Sequence, residues 1–222
     1  MKTFYIFGLR RVGNHAIIEW IANHFDHVIH YNDCWGWPDT DRYWVQKEYG
    51  DISKPVDLTI YSYEDFEPNQ EELDHPGTIL LLRDWYNMAA SRHVSKRGFG
   101  STSRERHMVH RNRDTAEVWL KYAELYREHS EKFILFNRWT LEEEYRVNVS
   151  KRFELGEAVE YRSTLPESKI GAGSSFGDAE IDPQKVNNRF RQLSQTDPEA
   201  YNTITTNPEI NRYCREIFNI EV

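Results

Sequence analysis

The residues best suited to chemistry lie close to the start of the chain. Gly8-Leu9-Arg10-Arg11-Val12-Gly13-Asn14-His15 sets two glycines five apart, with two arginines between them. Between a strand and a helix, this Gly-x-x-x-x-Gly spacing is the frame of a phosphate-cradling loop. Glycine lets backbone N–H groups close on an anion, and the helix N-terminus adds the positive end of its dipole. A nucleotide triphosphatase follows the second glycine with Lys and then Ser or Thr, whose hydroxyl serves Mg²⁺. Here those positions are Asn14 and His15, and the positive charge comes earlier, at Arg10 and Arg11. Such a loop can hold phosphates through Arg10, Arg11, Gly13, Asn14 and His15 without a magnesium hydroxyl. The plainer alternative is an ordinary strand-to-helix turn with two surface arginines.

Other clusters carry weaker signals. Residues 92–113 hold seven Lys/Arg against one acid, Glu105, in a chain of net charge −8. A basic island in an acidic protein is either a local anion site or a solvated loop. The net charge argues against nucleic acid as a partner. Tyr31, Trp35, Trp37, Tyr43 and Trp44 are dense enough to stack on a sugar or an aromatic alcohol, or to form a small apolar subcore. His107 and His110 are three apart, but no third ligand is evident, so no metal is expected. Cys34 and Cys214 are too few for a disulfide framework and read as free thiols in a reducing cytoplasm. No apolar run approaches a membrane span. The short run Thr3–Phe7 is followed by no cleavage pattern. A cytoplasmic protein without membrane partners is therefore expected.

Positioning these groups requires regular elements. Thr3–Phe7 is a β-branched and aromatic run that ends at Gly8 and predicts a buried strand. Ile17, Ile18, Ile21 and Phe25 recur at helical spacing and predict a helix over 14–25. Further strands are expected over 56–63, 78–82 and 132–136. Helices are expected over about 84–95, 114–129, 141–153, 182–194 and 207–218, with Pro183 and Pro208 near two of the starts. An irregular stretch rich in Gly and Ser spans 163–178. Strands that are short continuous apolar runs, alternating with helices, predict an α/β fold with a largely parallel central sheet flanked by helices in three layers. Ligands in such sheets bind at the carboxyl ends of the strands. The loops after Phe7, Tyr63, Leu82 and Phe136 are therefore the places to look for chemistry.

The first loop resembles that of the sulfotransferases that use 3′-phosphoadenosine-5′-phosphosulfate, in particular a Leu-Arg-Arg-Ser-Gly-Asn-His subgroup of that P-loop-like family. Arg11 falls where the family places its catalytic lysine, and Val12 replaces the usual serine. The family's second signature is an Arg at a strand end with a Ser eight residues on, both holding the 3′-phosphate of the cofactor. Arg83 and Ser91 match it. A guanidinium gives phosphate a forked, permanently charged donor. Phe133–Trp139 resembles the strand that passes the adenine, where Asn137 would touch the base. Gly171–Gly177 sits where many members close a late loop over the 3′-phosphate, with Ser174 and Ser175 as donors. The resemblance covers about 1–25, 56–66, 78–95, 132–155 and 170–193. It implies one sulfotransferase-like domain over 1–222, with insertions near 31–55 and 96–113.

What the resemblance implies for function is transfer of a sulfuryl group to a hydroxyl or amine of a small-molecule or glycan acceptor, by in-line displacement and without metal. Cationic donors such as Arg11 would stabilise the leaving phosphate oxygen. Relatives place a His or Glu base at the end of the strand after the first helix. Here that strand ends Tyr63-Glu64-Asp65, so Glu64 is the expected base, with Asp65 and His93 behind it. Two other readings stay open: a small nucleotide kinase, and a non-catalytic nucleotide-binding protein that has lost the base.

Overall fold

The computed structural model describes residues 1–34, 45–94, 114–155 and 183–222. Among these, one six-stranded sheet runs in the order β3-β2-β4-β1-β5-β6. Its strands are β1 (Lys2–Gly8), β2 (His27–Asn32), β3 (Val45–Gly50), β4 (Leu58–Glu64), β5 (Thr78–Leu82) and β6 (Phe133–Leu135). Every neighbouring pair is parallel except β2–β3, the edge pair. The helices are α1 (Asn14–Ala22), α2 (Gln70–Asp74), α3 (Trp85–Val94), α4 (Thr115–Glu128), α5 (Phe136–Leu141), α6 (Glu143–Arg152), α7 (Pro183–Val186), α8 (Arg189–Thr196), α9 (Pro198–Thr205) and α10 (Pro208–Phe218). This is the expected α/β architecture, a mostly parallel sheet flanked by helices.

The centre is apolar because both faces of the middle strands are covered. All five residues of β5 are buried, as continuous apolar runs in parallel sheets require. Trp20 of α1 meets Trp139 of α5 edge-on at 5.9 Å. On the face that carries Phe7 and Tyr63, those rings stack at 4.6 Å. Phe66 packs beside them, and its carbonyl accepts from the Tyr122 hydroxyl of α4. Trp139 is wholly buried core.

Several element boundaries differ from expectation, and two strands were missed. β2 reads His-Val-Ile-His-Tyr-Asn, too polar to be predicted as a central strand. Its His30 is nevertheless fully buried, because Ser62 of β4 bonds it at 2.8 Å. β3 is largely exposed and carries Lys47 and Glu48, as an edge strand does to discourage pairing with other chains. The expected helix over 141–153 begins instead at Phe136, directly after β6, and is interrupted at Glu142. The helix expected over 182–194 is two short pieces, α7 and α8. α9 was not anticipated, although Asp197-Pro198 announces it: Asp197 caps the helix and proline takes its first turn. Both cysteines are free and buried. No helix among the described residues is long and apolar enough to cross a membrane.

Candidate active site

Because β1, β2, β4, β5 and β6 run parallel, their carboxyl ends share one edge of the sheet. The first loop leaves β1 there and turns into α1. Gly13 caps α1 with φ of 100°, and a Cβ at that position would fall 2.1 Å from the Phe136 ring. The second glycine of the frame is thus required twice, by a left-handed backbone and by a ring laid against it. At Gly8 a Cβ would come within 2.7 Å of the Asn14 side-chain oxygen. Arg11 in the loop after β1, and Asp33 and Asp65 directly after β2 and β4, all take left-handed backbone with φ of 75°, 58° and 59°. Strained backbone of this kind gathers at functional sites.

Arg10 is not a surface residue. Its Nε lies 2.9 Å from Glu64 Oε2 and its Nη2 3.0 Å from Asp33 Oδ2, while its backbone N–H donates to Asp65 Oδ1 at 3.0 Å. Burial works against its charge, but Glu64, Asp33 and Asp65 outweigh burial and hold the guanidinium protonated. From α3, Arg92 donates to the Arg10 carbonyl at 3.3 Å and to Asp65 Oδ1. The first residue of the basic run 92–113 is therefore a buried clamp; the residues beyond Val94 in that run lie outside the described residues. Glu64 receives Arg10 on one oxygen and Asn14 Nδ2, at 3.1 Å, on the other. Burial would raise its carboxyl, but His15, Arg10 and the Asn14 hydrogen bond prevail and hold it below the usual carboxylate range. Burial pushes the neighbouring Asp65 upward, against the pull of Arg92.

Next to this cluster is a second group, built around Arg83 at the end of β5. Its guanidinium is buried, stacked on the Phe136 ring at 4.9 Å, and donates to the Arg11 carbonyl at 3.1 Å and to the Val186 carbonyl at 2.5 Å. Its Nε is buried with no hydrogen-bond partner among the described residues. Burial lowers its pKa to about 10; Asp84 opposes that, and the nearby charge of Arg189 adds to it. Asp84 spends its oxygens on Asn87 and Asn137. The Asn137 amide is held in return, its Oδ1 accepting the Asp84 N–H at 3.1 Å. Ser91 is buried on α3, one residue before Arg92.

Sequence reasoning missed Arg189 and the segment around it. Val186 receives Arg83, the Asn187 carbonyl receives Asn87 Nδ2 at 2.9 Å, and the Phe190 N–H donates to Asn87 Oδ1 at 3.2 Å. These bonds draw the start of α8, with its buried Arg189, onto the β5 end. No spacing rule links it to Arg83; only the tertiary fold does. The other expected base candidate, His93, pairs with Asp197 at 2.8 Å. His15 contacts Asn32 Oδ1 through Nε2 at 3.1 Å. Ser174, Ser175, His107, His110, Trp35, Trp37, Tyr43 and Trp44 lie outside the described residues. Among the described residues no cluster of His, Cys, Asp and Glu could hold a metal ion.

Two groups of cationic side chains thus adjoin at this edge of the sheet: Arg11 at the N-terminus of α1, and Arg83 with Arg189 near it. No family model and no curated protein matches the chain. Among solved structures, the chain is similar in fold to the crystal structure of mouse sulfotransferase SULT7A1 complexed with PAP, at 13% identity and a TM-score of 0.49, over 97% of this chain and 88% of that one.

Proposed function

We propose that the protein is a sulfotransferase that moves a sulfuryl group from 3′-phosphoadenosine-5′-phosphosulfate to a hydroxyl or amine. The observation that carries the reading is the contact between the two anion motifs. Arg83 reaches across to the backbone of Arg11, and its buried Nε is left without a partner. A buried guanidinium in this state calls for an anion. A nucleotide with phosphate at both its 3′ and 5′ positions supplies two, one for each position.

The donor, when bound, supplies an activated sulfuryl group on its 5′-phosphate. The chain's own residues do the rest. Arg83 and Arg189, with Ser91 as a further donor, hold the 3′-phosphate. The backbone N–H groups at the α1 N-terminus, from Gly13 to His15, hold the 5′ end, and Arg11 stabilises the charge that grows on the leaving oxygen. Arg10 acts differently: surrounded by carboxylates, it fixes the strand ends on which the site is built. Asn137 fixes Asp84, the residue that follows Arg83. Ser174 and Ser175 are the further donors to the 3′-phosphate that the family resemblance implies.

Calorimetry with 3′,5′-adenosine bisphosphate tests the reading. Binding without added metal is expected, and saturation a hundredfold above the dissociation constant should stabilise the fold by about 2.7 kcal/mol. Stabilisation only by ATP with Mg²⁺ would instead indicate a kinase.

A further inference from the structure

We infer that His15, rather than Glu64, takes the acceptor's proton, and that Asn32 fixes the tautomer that allows it. This inference rests on the sulfotransferase reading and names the base of the same site. Glu64 is poorly suited to the task, because one of its oxygens holds Arg10 Nε at 2.9 Å and the other holds Asn14 Nδ2 at 3.1 Å. A carboxylate engaged on both oxygens by cationic and amide donors has little lone-pair density left to accept a proton.

His15 is in the opposite situation. It stands in the first turn of α1, half-buried, next to Glu64 and one residue from Asn14. Its Nε2 meets Asn32 Oδ1 at 3.1 Å, and the same oxygen accepts from the Ser62 hydroxyl at 3.4 Å. Ser62 in turn is held by His30 Nε2 at 2.8 Å and by the Asp33 N–H. An amide oxygen only accepts, so His15 must donate through Nε2–H. Neutral imidazole then carries its lone pair on Nδ1. Among the described residues Nδ1 has no hydrogen-bond partner. The charged and titratable groups around the ring are Glu64 from β4 and His30 from β2, with Arg10 behind Glu64 and Lys47 of β3 near His30.

As the acceptor oxygen attacks sulfur, its proton passes to Nδ1 and the O–H electron pair forms the new S–O bond. The sulfur bond to the 5′-phosphate oxygen breaks, and its pair stays on that oxygen. The imidazolium then returns its proton to water.

Two measurements test this. Proton–nitrogen correlation of imidazole rings in ¹⁵N-histidine protein, without nucleotide, should show His15 protonated at Nε2 alone. Asn32→Asp should preserve that tautomer and Asn32→Ala should lose it. A ring protonated at Nδ1 in the unmodified protein overturns the inference. In transfer of labelled sulfate, His15→Ala and His15→Asn should each slow turnover by about 10²–10⁴. Both should leave adenosine bisphosphate affinity within about twofold, lose the acid limb of the kcat–pH profile, and regain rate with added imidazole. Loss of nucleotide affinity in step with rate would make His15 a phosphate ligand instead. An active enzyme whose His15 variants keep full rate overturns the base alone. A wild-type protein that binds no adenosine bisphosphate and transfers no sulfate overturns the sulfotransferase reading itself.

Discussion

Four arginines of the site differ in what neutralises them, and that difference assigns their work. Arg10 faces three carboxylates and Arg92 clamps Asp65, so both are internal struts. Arg83 is buried on carbonyls and a ring, and Arg11 lies in the first loop with left-handed backbone. Arg83→Ala should therefore weaken adenosine bisphosphate binding by about 1.5–3 kcal/mol, the worth of a hydrogen bond to a charged group. Its effect on kcat should be smaller, because a contact remote from the reacting sulfur is equally strong in ground and transition states. Arg11→Ala should show the reverse, a loss of about 10²–10³ in kcat with little change in nucleotide affinity. Calorimetry and single-turnover transfer separate the two effects. Unchanged affinity in the first variant would remove Arg83 from the site, and full rate in the second would remove Arg11 from the chemistry. Arg10 and Arg11 look alike in sequence; the carboxylates that set them apart come from β2 and β4.

At the scale of elements, the first loop, α1 and α5 form one packed unit. Gly13 is the joint, because Phe136 at the start of α5 lies where its side chain would be. Gly13→Ala should cost at least about 2 kcal/mol, from overpacking together with left-handed backbone in a residue with a Cβ. Chemical denaturation measures this. Adding Phe136→Leu should recover part of the loss, since the smaller side chain relieves the clash while the backbone cost remains; no recovery would show that Phe136 is not what the new methyl meets. The glycine spacing was readable in the sequence, as were β1, β5 and α4. The role of Phe136 was not, because a four-residue apolar run ending there reads as strand, while its contact with Gly13 is made only in the fold. β2 was missed for a related reason: His30 and Asn32 look solvent-facing until Ser62 and His15 are found bonded to them.

At the scale of the whole molecule, buried titratable groups tie the fold to pH. His30 is fully buried, and burial, with His15 and Lys47 adding to it, holds its pKa well below 6.5. The unfolded chain therefore binds a proton at His30 that the folded chain does not. Stability should fall as pH drops below about 6.5, by up to about 1.4 kcal/mol per unit from this residue. Glu64 acts in the same direction but later. Its folded carboxyl lies below the ordinary value of 4.5, so its contribution is intact above that value and is lost as pH falls through the folded pKa. Thermal unfolding between pH 7 and 5 should show the first decline, and His30→Gln should flatten it; an equally steep decline in that variant would place its origin elsewhere. By itself the sequence determined the α/β class and the strand-to-helix turn framed by Gly8 and Gly13, because continuous apolar strands and glycine spacing are local properties. It also marked the strand ends after Phe7 and Leu82 as the places for chemistry. Only the tertiary structure decided that Arg10 is neutralised and Arg83 is not, that Arg189 joins Arg83, and that Glu64 is occupied while His15 keeps a lone pair. Those are facts of partnership between residues far apart in the chain, and a buried charge takes its character from the partner it meets.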